Sequence, residues 1–85
     1  MAVTLLYFAW VREKIGVAQE RVELPAHVTT IAGLMAWQQT RGLEYAAAFE
    51  RSDVIRAAID QVHAKPDTAL DGAREIAFFP PVTGG

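Results

Sequence analysis

The chain opens on a run, residues 3–9, that mixes β-branched, aromatic and aliphatic side chains with almost no polar interruption. Such a run predicts a strand buried on both faces and central in its sheet. Residues 12–16 follow as a short turn or a single helical turn. Polar Gln19, Arg21 and Glu23 are then set against apolar Val22 and Leu24, with Glu20 breaking the alternation, and this predicts a second strand paired with the first as a hairpin. Pro25 ends it. Ile31, Leu34 and Met35 fall at i, i+3 and i+4, behind Thr29 or Thr30 as cap, and define the main helix, with Gly42 as its stop. The Ala-rich residues 43–49 favour a second short helix by propensity alone.

Residues 54–59 return to strand composition, Asp60-Gln61 can turn, residues 62–64 can form a short return strand, and Lys65-Pro66-Asp67 breaks the chain. After the turn signal at Asp71-Gly72, residues 75–79 form the last strand, with Ile76 and Phe78 on one face and Ala77 and Phe79 on the other. Pro80-Pro81 then forbids further ladder pairing. Strand, strand, helix, strand, short strand, strand is the order of a ubiquitin-like β-grasp, an α+β fold with a mixed sheet of about five strands on one main helix. We therefore expect one domain over residues 1–79 and an extended, flexible C-terminal tail over residues 80–85, since 85 residues are too few for two domains.

Composition narrows the function classes. A net charge of −2, with no basic cluster, argues against nucleic-acid binding. The apolar start meets Arg12, Glu13 and Lys14 long before the ~18 apolar residues of a membrane span. It also lacks the basic leader of a secretory signal, so a cytoplasmic location without membrane partners is expected. With no cysteine, the chain has no thiol to serve as nucleophile, redox centre or metal ligand. His27 and His63 stand apart without a matching carboxylate pattern, so they are expected at the surface and no metal site is expected.

The tail carries the candidate chemistry. Val82-Thr83-Gly84-Gly85 has no large apolar anchor after Val82, and its glycines have neither Cβ nor rotamer. The two prolines before it favour a locally extended stalk. A glycine tip suits a narrow channel, because the main chain can approach the walls unobstructed. Its reactive group is the α-carboxylate, which with a pKa of about 3.3–3.7 is an anion at neutral pH and a poor electrophile. Adenylylation would make it a mixed anhydride, and a sulphur donor could displace AMP to leave a thiocarboxylate.

On AFFPPVTGG at the C-terminus, LYFAWVREKIG near the N-terminus and the helix start at Thr30-Ile31, the chain resembles the small sulphur-carrier subunits of molybdopterin synthase along its whole length. The resemblance implies that Gly85 is activated by an ATP-dependent adenylyltransferase similar to ubiquitin-activating enzymes. It implies sulphur loading from a desulphurase or rhodanese-type donor, and delivery within the large catalytic subunit to cyclic pyranopterin monophosphate, in a heterotetramer. The small subunit is then not an enzyme by itself and binds no cofactor, its one modification being the thiocarboxylate at Gly85. In this reading Gly84, Thr83 and Val82 thread the partner's channel, Phe79, Pro80 and Pro81 lie at its mouth, and Phe8 and Arg12 belong to the docking face. Asp60 departs from the Asn that many relatives carry after the third strand, and residues 43–50 show no family motif.

Adjacent Phe78 and Phe79 must point oppositely, and we assign Phe78 to the core and Phe79 to the interface. Trp10 and Trp37 are read as partial covers of the core. Carriers for thiamine or tRNA thiolation and ubiquitin-like modifiers share the fold and the Gly-Gly end, so they remain alternatives.

Overall fold

Strand β1 (Ala2–Tyr7) and strand β5 (Glu75–Phe79) run parallel at the middle of a computed structural model that describes residues 1–81. Around them β2 (Gln19–Glu23), β3 (Arg56–Ile59) and β4 (Val62–Ala64) complete a five-stranded sheet of order β2-β1-β5-β3-β4. All contacts but β1·β5 are antiparallel. The fold is the expected mixed-sheet β-grasp, with helix α2 (Ile31–Gln38) packed on one face and the shorter helices α1 (Ala9–Ile15) and α3 (Leu43–Ala48) beside it.

The inner face of the sheet carries Val3, Leu5 and Tyr7 from β1, Ile76 and Phe78 from β5, and Ala57 from β3, all buried. Ile31, Leu34 and Met35 of α2 close the core from the other side, and Phe49, just beyond α3, fills it. Helix α2 begins where its free N–H groups find acceptors: Thr30 Oγ1 takes the Gly33 N–H at 3.1 Å, and the carbonyls of Thr68 and Pro66 take those of Ile31 and Ala32. Thr30, not Thr29, is therefore the cap. Trp10 and Trp37 are half-buried covers of the core, and His27 and His63 are exposed.

Four boundaries differ from those expected. Strand β1 ends at Tyr7 because Ala9 turns left-handed (φ 52°), and α1 then buries Val11 and Ile15 at i, i+4, starting earlier and running longer than the short turn or single helical turn expected over residues 12–16. Gly16, at φ 97°, closes α1 by donating its N–H to the Arg12 carbonyl. The two faces of β1 are not both buried, since Thr4 and Leu6 are half-exposed on the outer side, although β1 is an interior strand with β2 and β5 on either side, as expected. Helix α2 stops at Gln38, where a tightened turn takes over: Thr40 N–H donates to Trp37 and Arg41 N–H to Gln38. Gly42 starts α3 instead of ending α2, its carbonyl accepting from Ala46. Finally, Ser52–Val54 is a 3-10 turn, so β3 starts only at Arg56.

Asp60 and Gln61 join β3 to β4 with both residues at positive φ (49° and 71°), the signature of a type I′ turn. Asp60 also serves β5: its carboxylate accepts the N–H of Glu75 at 2.9 Å and of Arg74 at 3.2 Å, which gives this position a reason to be Asp or Asn. Gln61 has no such compensation. A left-handed L-residue costs roughly 1–2 kcal/mol, offset in part by the roughly 0.5–1 kcal/mol that glycine loses in entropy. Gln61→Gly is therefore expected to raise the unfolding free energy by about 0.5–1 kcal/mol in urea titration, with an unchanged m-value.

Candidate functional site

The candidate site is the end of the sheet where β1 and β5 finish side by side. Tyr7 and Phe78 are cross-strand partners there, with rings 6.3 Å apart and nearly parallel, and Phe49 meets Phe78 edge-on at 5.1 Å. Phe78 is completely buried. Strand alternation then sends Phe79 to the outer face, where it is half-buried and meets the His63 ring edge-on at 5.5 Å. The assignment of Phe78 to the core agrees with this placement, and the chain leaves the sheet at half-buried Pro80 and Pro81.

Phe8 extends β1 past its last ladder residue, and its N–H donates to the Phe78 carbonyl at 3.1 Å. At 47% exposure its ring is one of the large apolar side chains left open to solvent. By strand parity it shares the outer face with Leu6, Ala77, Phe79 and Ala58, an apolar strip edged by Arg21, Glu75 and Arg56. Arg12 lies one helical turn beyond, its N–H directed at the Phe8 carbonyl and its side chain exposed because Val11 and Ile15 take the inward positions. Phe8, Arg12, Phe79, Pro80 and Pro81 are thus placed about one end of the sheet. Val82, Thr83, Gly84 and Gly85 lie outside the described residues.

Behind this end sits a polar cluster that the alternation pattern registered only as an irregularity. Glu20 points to the inner face of β2, where its carboxylate accepts from Tyr7 Oη at 2.7 Å, from Tyr45 Oη at 2.9 Å and from both terminal nitrogens of Arg41 at 2.8 and 3.0 Å. Gln38, fully buried, donates to Tyr7 Oη at 2.9 Å and accepts from Arg41. The Arg41 guanidinium also lies over the Trp37 and Tyr45 rings, at 5.1 and 4.2 Å. An acidic residue out of step in a strand, with an arginine and two tyrosines elsewhere in a small chain, was the available signal. Only the tertiary fold brings them together.

Burial alone would raise the Glu20 pKa, but the hydrogen bonds from Arg41, Tyr7 and Tyr45 outweigh it and hold the carboxyl below its ordinary value. Burial, and then the bond to Glu20, pushes the Tyr7 hydroxyl well up, and Tyr45 shifts the same way for the same causes. The bond to Glu20 raises Arg41 further. At neutral pH the cluster is therefore an ion pair with two neutral phenols. It holds Tyr7 in place and, through the stacked rings, Phe78. Among the described residues no group of three or more His, Cys, Asp or Glu side chains could hold a metal ion, and no helix is long and apolar enough to cross a membrane.

Against known proteins, residues 5–85 match the ThiS family. The molybdopterin synthase sulfur carrier subunits of Escherichia coli and Haemophilus influenzae are each 35% identical to the chain over 83 residues, covering 98% of this chain and 99% of theirs. Among solved structures, SAMP1 from Haloferax volcanii superposes with a TM-score of 0.71 over the full length of both chains at 22% identity, a likeness of fold.

Two outcomes follow from this geometry. Phe78→Ala should lower the unfolding free energy by roughly 3–5 kcal/mol, and Phe79→Ala far less, in urea titration at neutral pH. Because the folded-state pKa of Glu20 is depressed, its contribution is fully present above the ordinary carboxyl value of 4.5 and is lost as pH falls through the lower folded value. Glu20→Gln should therefore cost roughly 1–3 kcal/mol at pH 7, and the difference from wild type should shrink as pH falls below about 4. A difference independent of pH contradicts the assigned charge state.

Proposed function

Because the chain belongs to the ThiS family, we propose that it is the sulphur-carrier subunit of a molybdopterin synthase. What carries the reading is the 35% identity to two such subunits over nearly the whole of each chain. The arrangement of the sheet is consistent with it: an apolar outer face ends where the proline stalk departs, so a protein that docks on Phe8 and Phe79 is placed to receive whatever follows Pro81.

In the proposed cycle the Gly85 carboxylate attacks the α-phosphorus of ATP on an adenylyltransferase similar to ubiquitin-activating enzymes, and pyrophosphate leaves. A sulphur nucleophile from a desulphurase or rhodanese-type donor then attacks the acyl carbon and displaces AMP. With hydrosulphide this yields the thiocarboxylate directly. With a persulphide, a thiol must also reduce the remaining S–S bond. The loaded carrier docks on the large catalytic subunit through its outer face, with Phe79, Pro80 and Pro81 at the channel mouth and Val82, Thr83 and Gly84 inside. There Gly85 delivers sulphur to cyclic pyranopterin monophosphate. Two carriers on a large-subunit dimer make the heterotetramer.

The chain's own contribution is placement. Phe78 is held by rings on two sides and by the β1–β5 ladder, so the stalk leaves from a fixed point. Fixing the origin of a short tail raises the effective concentration of its tip in the partner's site.

Reconstitution tests the reading: purified large subunit, adenylyltransferase, ATP, a sulphide source and cyclic pyranopterin monophosphate are combined with the chain. Molybdopterin is expected with wild type and should be abolished by deletion of Gly84-Gly85. Equal product from the truncated chain contradicts the assignment, and covalent attachment to lysines without molybdopterin favours a modifier instead.

A further inference from the structure

On the side of the sheet edge away from β1 lies a groove of about 390 Å³ between the 3-10 turn, β3 and β4. Ile55 and Ala57, both buried, and half-buried Ala64 form an apolar floor. Arg56, His63 and Lys65 line it as well, all exposed. Among the described residues neither Arg56 nor Lys65 lies within ion-pair distance of a carboxylate. The lining acid, Asp53, is already matched by Arg51, whose guanidinium meets it with two bonds of 3.0 and 3.1 Å. In a chain of net charge −2 this groove therefore has two positive charges with no ion-pair partner among the described residues, over an apolar base.

The groove is continuous with the end of the sheet described above. Arg56 is the cross-strand partner of Phe79, and the His63 ring meets the Phe79 ring, so the same two residues border both surfaces. A protein seated on Phe79 therefore reaches the groove by turning around the β4 edge. Strand β4 spans only three residues and is too short for much strand addition, so side-chain contacts must carry the interaction.

We propose that this groove receives an acidic segment of the large synthase subunit, with carboxylates on Arg56 and Lys65 and an apolar side chain against Ile55, Ala57 and Ala64. It is a second point of attachment beside the tail, and it gives the docked carrier a rotational register that a tail and a flat apolar strip do not. The charges steer the encounter, and the apolar floor holds the seated state. The inference rests on the carrier reading.

The test is isothermal titration of the full-length chain with the purified large subunit, comparing wild type with Arg56→Glu and Lys65→Glu. Arg74→Glu, the same charge change at the opposite end of β5, is the control. Each groove variant is expected to weaken binding about tenfold or more, and the control by no more than about twofold. Wild-type affinity should fall with ionic strength. In parallel, amide shifts of the labelled chain on adding large subunit should extend from Phe8 and Phe79 to Arg56, Ala57, His63 and Lys65. Groove variants that bind like the control, or shifts that stop at the outer face, overturn this inference and leave the carrier reading standing. Absence of binding by wild type overturns both.

Discussion

Burial of Phe78 is the constraint on which the working end of this molecule depends. Its ring is clamped between Tyr7 and Phe49, and its carbonyl takes the Phe8 N–H. Once Phe78 is inside, strand alternation leaves Phe79 only the outer face, and the two prolines take the chain off the sheet directly afterwards. One apolar contact thus determines which aromatic lies on the outer face and where the chain leaves the sheet. Slipping β5 by one residue would reverse both, and the aromatic clamp opposes that slip.

Tyr7 links this apolar constraint to the polar cluster behind it. Its ring belongs to the core and its hydroxyl to Glu20 and Gln38, so Arg41 and the turn after α2 are tied to the same side chain that braces Phe78. A partly buried carboxylate is costly unless its lone pairs are satisfied, and here four bonds from Arg41, Tyr7 and Tyr45 satisfy them. The cluster has geometric value beyond its net stabilisation, since it has one arrangement in which every member is paired.

Much of this was legible in the sequence. The order of strands, the main helix with its threonine cap, the hairpin at Asp60-Gln61 and the opposite fates of Phe78 and Phe79 all follow from local pattern. Helix α1 was legible only as a short turn or a single helical turn, because its inward residues Val11 and Ile15 are two positions in a short charged segment, and its start requires Ala9 at positive φ, which no propensity announces. The Glu20 cluster was legible only as a broken alternation. Its partners are distant in sequence, between 13 and 25 residues away, and only the tertiary structure pairs them. The cationic groove likewise depends on β3 and β4 being brought against the turn at Ser52–Val54.

The proposed function divides the labour between a seat inside residues 1–81 and a reactive end at Gly85. The chain has no thiol, and the proposed carrier role therefore assigns the sulphur to the carboxyl carbon of Gly85. Intact-mass analysis, with fragmentation, of the chain isolated from cells making molybdenum cofactor tests this most directly. The account predicts a species in which one oxygen of the Gly85 carboxyl is replaced by sulphur and which reverts to the carboxylate on hydrolysis. Persistent absence of that species in such cells, with only unmodified Gly85 found, would contradict it.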